Sequence, residues 1–528
     1  MVSRLPLLFN TIKHLRPKQI RYRLFYLVRN RFFKKNYAKT LTEEVKPLDW
    51  ENSFYYPISY EGEKNFSFIN LAYTFEEEIN WNHHNFGKLW TYNLNYFDFL
   101  NQENSKVEQG LSLINDYIKK ESSLNDGKEP YPISLRGINW IKFLSENNIV
   151  DRDINQVLYN HYQILVNNIE YHLLGNHLLE NGFSLFFGAY YFKDKVLYNK
   201  ATKILAAELK EQVLNDGAHF ELSPMYHQIV LHRILDCIQL AELNVWKQDN
   251  LLSQLKDTAS KMLSWLETIT FSGGTIPMVN DSAYGIAPTS NQLFEYAEKI
   301  GIHWAPLKLS DSGYRMFKSK VYELFVDIGD VGPTYQSGHV HSDTFSFELQ
   351  VNKKSLIVDP GISTYEKNAK RQLERETASH NTVKIGSQEQ TQVWGGFRVA
   401  KRAKIINFKE DVNFVEATHN GYQNKGILHT RKFIAKEDKV VINDSLSKVT
   451  DEVQIAFFHF HPTVKNLMIR ENEIELCDEH IRMLFSDHLI KIEKETYEYA
   501  LGFNKTTQAQ KIKVFFKTTL ETQIRIRI

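Results

Sequence analysis

The 528-residue chain sets 64 Lys and Arg against 63 Asp and Glu, a formal net charge of +1. That balance gives no global basic field and excludes nucleic acid as an expected partner. Hydrophobic residues at 42% and charged residues at 24% fit a globular protein long enough for two or three domains.

Only Cys237 and Cys477 are present, far apart and without a CxxC pair, so neither a disulfide framework nor a thiolate zinc site is indicated. Aromatic residues are abundant at 13%. Such rings either fill a large core or stack on the apolar faces of sugars.

The chain opens on an unusual arm. Residues 1–42 carry eleven Lys or Arg and no Asp or Glu. The run Arg16–Arg31 reads as a basic amphipathic helix within an arm spanning residues 1–45. Its apolar stretches are too short to span a membrane, and no apolar h-region precedes a small-residue cleavage site. The arm is expected either to pack on its own domain or to touch an anionic membrane surface or polyanion. The expected location is cytoplasmic or peripheral to the inner membrane face, with the periplasm as the alternative.

Apolar spacing near 3.6 predicts helices over 105–120, 136–148, 151–172, 184–192, 197–214, 224–244, 250–270 and 290–300. Short loops separate them, among them Asn125-Asp-Gly, Asn215-Asp-Gly and Ser272-Gly-Gly. Serial antiparallel hairpins of this kind, over 46–310, curve into a toroid or solenoid. From residue 311 the pattern changes to alternating, β-branched runs such as Val321–Asp327, Thr344–Val351, Ser355–Val358, Lys439–Ile442 and Lys511–Phe516. Residues 311–528 therefore read as a β-sandwich, with Thr522–Ile528 a half-exposed strand. A cleft between the two domains would suit a long ligand.

Three clusters carry chemistry. The first is His339-Val-His341-Ser-Asp343, leading into Phe345 and Phe347. If extended, it places His339, His341 and Asp343 on one face. Asp359 ends the next predicted strand and His380 precedes another. Two imidazoles and a carboxylate suit a divalent ion, most simply zinc, or else form a hydrogen-bonded core. The second is Gly175-Asn-His-Leu-Leu-Glu, where His177 and Glu180 share a helix face beside Asn176. The third is Asp216-Gly-Ala-His-Phe-Glu221-Leu-Ser-Pro-Met-Tyr226-His227. Ser223-Pro224 starts a helix there and puts Tyr226 in its first turn. Tyr92, Asn95, Arg136 and Trp394 are candidate substrate contacts, with Arg136 the best single binder of a carboxylate or sulfate. Asn280-Asp281 is a weaker candidate.

At Asn176-His177-x-x-Glu180, Ser223-Pro-x-Tyr226-His227, His339-x-His341-x-Asp343 and Asp359 with His380-Asn381, the chain resembles the heparinase II/III-like polysaccharide lyases. The resemblance covers roughly residues 90–400 and rests on the four motifs jointly. It implies an α+β multidomain fold, an incomplete (α/α) toroid followed by an antiparallel β-sandwich. It implies β-elimination on a uronate-containing acidic polysaccharide. By the same resemblance, Asn176, with His177 and Glu180, would hold the uronate carboxylate. Tyr226 would be the general base or the acid for the leaving group, and His339 its partner. His341, Asp359 and His380 would hold a structural divalent metal, expected to be zinc. The competing readings are a glycan-binding or assembly factor without turnover, and a zinc-dependent glycan hydrolase.

Overall fold

The computed structural model describes residues 4–33, 36–247, 250–476, 481–486 and 488–526. Cys477 and the last two residues of the predicted terminal strand lie outside them.

The basic arm forms two helices, α1 (Arg4–Ile12) and α2 (Pro17–Phe32). A small antiparallel sheet follows, β1 (Tyr60–Gly62), β2 (Asn65–Phe68) and β3 (Leu71–Thr74). The sequence gives no sign of it, because its two-residue turns are Glu63-Lys64 and Ile69-Asn70. All four residues have positive φ, at 48–61°. Tight hairpins need that backbone, but the usual Asn-Gly or Asp-Gly signal is missing.

The helical domain contains α3 (Lys88–Tyr96), α4 (Val107–Lys120), α5 (Pro130–Glu146), α6 (Arg152–Asn167), α7 (Gly175–Phe192) and α8 (Lys195–Gln212). It continues with α9 (Pro224–Leu243), α10 (Leu251–Ile269) and α11 (Ser290–Lys299). The eight helices expected from apolar spacing correspond to α4–α11. Helices α5, α7 and α9 are buried almost all round and pack on one another, whereas α4, α6, α8 and α10 bury one stripe each. A helix apolar on every side belongs inside, and an amphipathic one outside. The result is the two-layered, incomplete (α/α) toroid.

The β domain begins with a meander, β4 (Tyr314–Lys318), β5 (Tyr322–Asp327), β6 (Phe347–Val351) and β7 (Lys354–Ile357). A short helix, α12 (Ala369–Glu374), and the strand β8 (Val383–Ile385) follow. Strand β8 edges a second four-stranded sheet with 454–459, 505–516 and 489–502. Antiparallel bridging of Ile357 to Phe460 joins the two four-stranded sheets into one layer. The facing layer is an eight-stranded antiparallel sheet that includes 429–435, 439–446 and 519–526. Leu324, Phe347, Phe433, Ile442, Phe458, Val514 and Ile524 fill the core between the layers. Strand 519–526 alternates as expected, with Leu520, Thr522, Ile524 and Ile526 buried.

One local expectation fails. His339–Ser346 does not extend β6, which starts at Phe347. Phe345 adopts φ 70°, and the Ser346 N–H donates to the Asp343 carbonyl at 2.7 Å. The buried polar side chains here take partners outside any ladder, as Ser342 does with Thr377 at 2.8 Å. Side chains that bond locally compete with strand pairing.

Candidate active site

Helix α7 starts abruptly. Leu174 and Gly175 both have positive φ, at 65° and 61°, and the turn aims the first-turn groups of the helix at Glu221. The Asn176 N–H donates to Glu221 Oε1 at 2.9 Å and its Nδ2 donates to Oε2 at 2.8 Å. A carboxylate at a helix N-terminus satisfies otherwise unpaired donors and complements the helix dipole. Gly175 is required twice over. A Cβ there would lie 2.4 Å from Glu221 Oε1 and 2.9 Å from Gln336 Cγ, on a left-handed backbone. Gly175→Ala is expected to cost at least about 1 kcal/mol, read as a lower urea midpoint.

Helix α9 starts as its sequence indicates. Ser223 caps it by accepting the Tyr226 N–H at 3.2 Å, with Pro224 in the first turn. This projects Tyr226 toward the β domain. Its ring lies 4.0 Å from the His339 ring, and its hydroxyl lies 3.1 Å from that of Tyr365. Burial raises the Tyr226 phenol well above its usual range, and Tyr365, Asp281 and Glu221 add to the effect. The phenol therefore keeps its proton at neutral pH.

His339 is 11% exposed and bridges the two domains. Its Nδ1 donates to Asp281 Oδ2 at 2.8 Å. In a neutral imidazole that bond makes Nε2 the acceptor, 3.5 Å from Asn176 Nδ2 and 3.5 Å from Glu221 Oε2. Asp281 is the hub of the site. Arg371 of α12 grips it with both arms, at 2.5 and 2.7 Å, and His341 Nε2 donates to Oδ1 at 2.9 Å. Burial would raise the Asp281 carboxyl, but Arg371 and the two imidazoles overcome it and hold it well below the usual carboxylate range. A fixed carboxylate behind an imidazole sets its tautomer and orientation.

Asn176, Tyr226 and His339 thus converge, joined by Glu221, Asp281, Tyr365 and Arg371. Sequence reasoning quoted Glu221 and Asp281 without giving them these roles, and missed Tyr365 and Arg371, which lie in no recognisable motif. His177 borders the group. Its Nδ1 lies 3.2 Å from Glu170, and its ring packs 4.6 Å from Tyr131. From Tyr131 a file of rings runs outward through Tyr96 to Tyr92, with centroids 6.1 Å apart at each step. The Tyr92 hydroxyl donates to Glu129 at 2.9 Å.

Four expected site residues belong elsewhere. Glu180 is buried beneath the cleft, accepting from Arg233 Nε at 3.0 Å in an ion network with Asp236 and Lys142. Arg136 is fully buried and donates to the Asn95 and Gly127 carbonyls at 3.1 and 2.9 Å, with Tyr117 under its guanidinium. Asn95 is equally buried and donates to the Trp81 and Thr91 carbonyls. These polar groups satisfy backbone acceptors inside the helical domain, a demand that sequence spacing does not reveal. Trp394 donates its indole N–H to Thr11 at 3.1 Å and so holds α1.

The expected metal ligands lie behind the cleft. His341 and His380 are buried with ring centroids 5.2 Å apart, and His341 Nδ1 and His380 Nε2 have no hydrogen-bond partner. Burial lowers the His341 imidazole to about 3, so it is neutral, as a ligand must be. Two orphaned imidazole nitrogens fit the donor chemistry of zinc. The Asp359 carboxylate is engaged, accepting from His380 Nδ1 at 2.7 Å and from the Gly361 N–H at 3.0 Å. Among the described residues no three His, Cys, Asp or Glu side chains converge closely enough to form a ligand set.

Known proteins share this architecture. Its curated relatives include heparin-sulfate lyases; that of Bacteroides stercoris is 27% identical over 247 residues, 41% of this chain and 36% of the relative. That of Pedobacter heparinus is 24% identical over 311 residues, 46% of its length, so the chain aligns with less than half of each. The crystal structure of heparinase III superposes with a TM-score of 0.65 at 16% identity, covering 90% of this chain and 82% of the other, which shows a shared fold. Residues 133–300 match the family model for the heparinase II/III N-terminus, and residues 303–527 match that for the heparinase II/III-like C-terminal domain. Carrying both halves in order, the chain belongs to the heparinase II/III-like family.

Proposed function

We propose that this protein is a polysaccharide lyase that cleaves a uronate-containing acidic polysaccharide by β-elimination. The observation that carries the reading is the meeting of Asn176 and Tyr226 from the helical domain with His339 from the β domain, around one acceptor nitrogen. The proton at C5 of a uronate is weakly acidic, and its removal is eased when the neighbouring carboxylate is neutralised. Asn176 Nδ2 gives one hydrogen to Glu221, and its other, directed at His339 Nε2 at 3.5 Å in the resting site, turns to that carboxylate when substrate enters. His339 Nε2 takes the C5 proton, the C4–O4 bond breaks, and a C4–C5 double bond forms. Tyr226, protonated in the resting site, supplies the proton to the departing O4. Glu221 positions Asn176 and flanks His339 Nε2 at 3.5 Å. Glu221→Gln is expected to lower kcat/KM about tenfold, because the amide presents one acceptor where the carboxylate presents two.

The reading is tested by incubating the protein with a panel of uronate polymers and following the ultraviolet absorbance of the unsaturated product. Activity on at least one polymer supports it. Oligosaccharide binding with no new chain ends anywhere on the panel, and with Tyr226→Phe indistinguishable from wild type, would favour a binding factor instead.

We also propose that His341 and His380, through the unpartnered Nδ1 and Nε2, hold a structural divalent metal, with zinc the expected ion and Asp359 turning from His380 to complete the set. When bound, it would cross-link the loops behind His339 and supply no chemistry to the reacting bonds. Chelation is expected to lower Tm while leaving the turnover of the surviving folded protein within twofold. Saturated products, or complete loss of turnover without a change in Tm, would point to a metal-dependent hydrolase.

A further inference from the structure

Helix α2 is amphipathic in the wrong sense for a helix packed on its own domain. The face against the protein is polar and aromatic. Gln19 donates to the Leu173 and Tyr335 carbonyls at 3.2 and 3.3 Å, and Tyr26 to the Ile169 carbonyl at 2.5 Å. Arg29 donates to the Asn167 carbonyl at 2.7 Å, and the Tyr22 ring packs against that of Tyr171 at 4.7 Å. These residues recur at three- and four-residue steps and define one side of the helix. Ile20, Leu24, Leu27 and Val28 share a sector of about 100° on the opposite side. There Leu24 is 60% and Leu27 64% exposed. An ordinary surface helix buries its apolar stripe and solvates the polar one.

Helix α1 continues the surface. It is seated on the β domain through Thr11 and Trp394, yet Leu5 is 76% and Phe9 69% exposed. Lys13, Arg21, Arg23 and Arg31 are also exposed, and the first acidic residue of the chain is Glu43. The helix docks firmly by hydrogen bonds, so its apolar face is presented and not merely loose.

We infer that α1 and α2 form an interfacial anchor that lies on an anionic lipid bilayer, with the aliphatic stripe in the headgroup boundary and the arginines on anionic headgroups. Such a surface accepts both halves of the pattern at once. A soluble acidic polysaccharide would use the cations and leave Ile20, Leu24 and Leu27 unexplained. A second copy meeting the first across a two-fold axis would oppose unpaired cations with cations. Spanning is excluded by length. Sixteen residues rise about 24 Å, short of a hydrocarbon core of about 30 Å, and no described helix is long and apolar enough to cross. The anchor borders the cleft, because the Leu173 carbonyl that holds Gln19 lies three residues before Asn176. It would set the cleft mouth close to the bilayer, and that corollary alone rests on the proposed lyase activity.

The test is flotation of the full chain with vesicles of equal parts phosphatidylcholine and phosphatidylglycerol, against pure phosphatidylcholine. The wild type is expected to float with the anionic vesicles at least tenfold more strongly than with the neutral ones. Leu24→Glu with Leu27→Glu is expected to lose at least tenfold, with an unchanged Tm, because both side chains point away from the fold. Arg21→Gln with Arg31→Gln is expected to lose roughly 25-fold, about fivefold for each arginine. Three results would overturn the inference. One is no flotation of the wild type. Another is equal flotation of the leucine variant. The third is a wild-type dimer that the leucine variant turns into a monomer. Activity on a soluble polymer should be the same in all variants, which separates failure of the anchor from failure of the lyase reading.

Discussion

Asp281→Ala is expected to be the most damaging single change in this protein. It removes the acceptor for both arms of Arg371 and for the imidazoles of His339 and His341. Arg371 is fully buried and would be left as an uncompensated charge. Breaking a buried pair from one side costs about 3–5 kcal/mol. Activity falls as well, because His339 loses the partner that fixes its tautomer and its position against Tyr226. A further loss of about 10²- to 10⁴-fold in kcat is expected in the fraction that stays folded. Urea unfolding reads the first effect and turnover at saturating substrate the second.

The same residue predicts a pH dependence with a definite sign. The folded carboxyl is held well below its unfolded value near 4, so the unfolded state binds the proton more readily. The stability supplied by Asp281 is complete above about pH 4 to 5 and is lost as the pH falls through the folded value. Unfolding midpoints of wild type and Asp281→Ala should therefore differ most at neutral pH and converge on acidification. A gap that widens in acid would contradict the assignment of Asp281 as the anion of this cluster.

Tyr226→Phe is expected to separate chemistry from stability. The ring stays packed 4.0 Å from His339, and only the hydroxyl, with its contact to Tyr365, is lost. The cost in folding should be about 1 kcal/mol. The cost in kcat should be about 10²- to 10⁴-fold, the usual contribution of a positioned proton donor. KM should change little, since the proposed contact for the uronate carboxylate is Asn176. A large KM rise with an intact kcat would recast Tyr226 as a binding residue.

The sequence carries the architecture because architecture is written in periodicity. Helices α4–α11 and the change to alternating runs near residue 311 follow from spacing alone. The small sheet of β1–β3 does not, because Ile69 and Asn70 adopt a turn backbone that their side chains do not advertise. At the site, residues within a local motif were legible. Ser223-Pro224 announces a helix start, and Tyr226 comes with it. Residues whose roles depend on chain segments meeting from afar were not. Asp281 and Arg371 are 90 positions apart, and their pairing exists only after the domains close on each other. Arg136 misleads for the complementary reason. A guanidinium beside aromatic residues and Asn looks like an anion site, but here it satisfies two backbone carbonyls inside the helical domain. Trp394 looks like a sugar platform and instead holds α1.

The measurement closest to the central claim is the mass of paired products from a defined uronate oligosaccharide. Elimination adds nothing, so the two fragment masses should sum to that of the parent, and the new non-reducing end should absorb in the ultraviolet. Fragments that sum to the parent plus one water, without that absorbance, would show hydrolysis and contradict the roles assigned to Asn176, Tyr226 and His339.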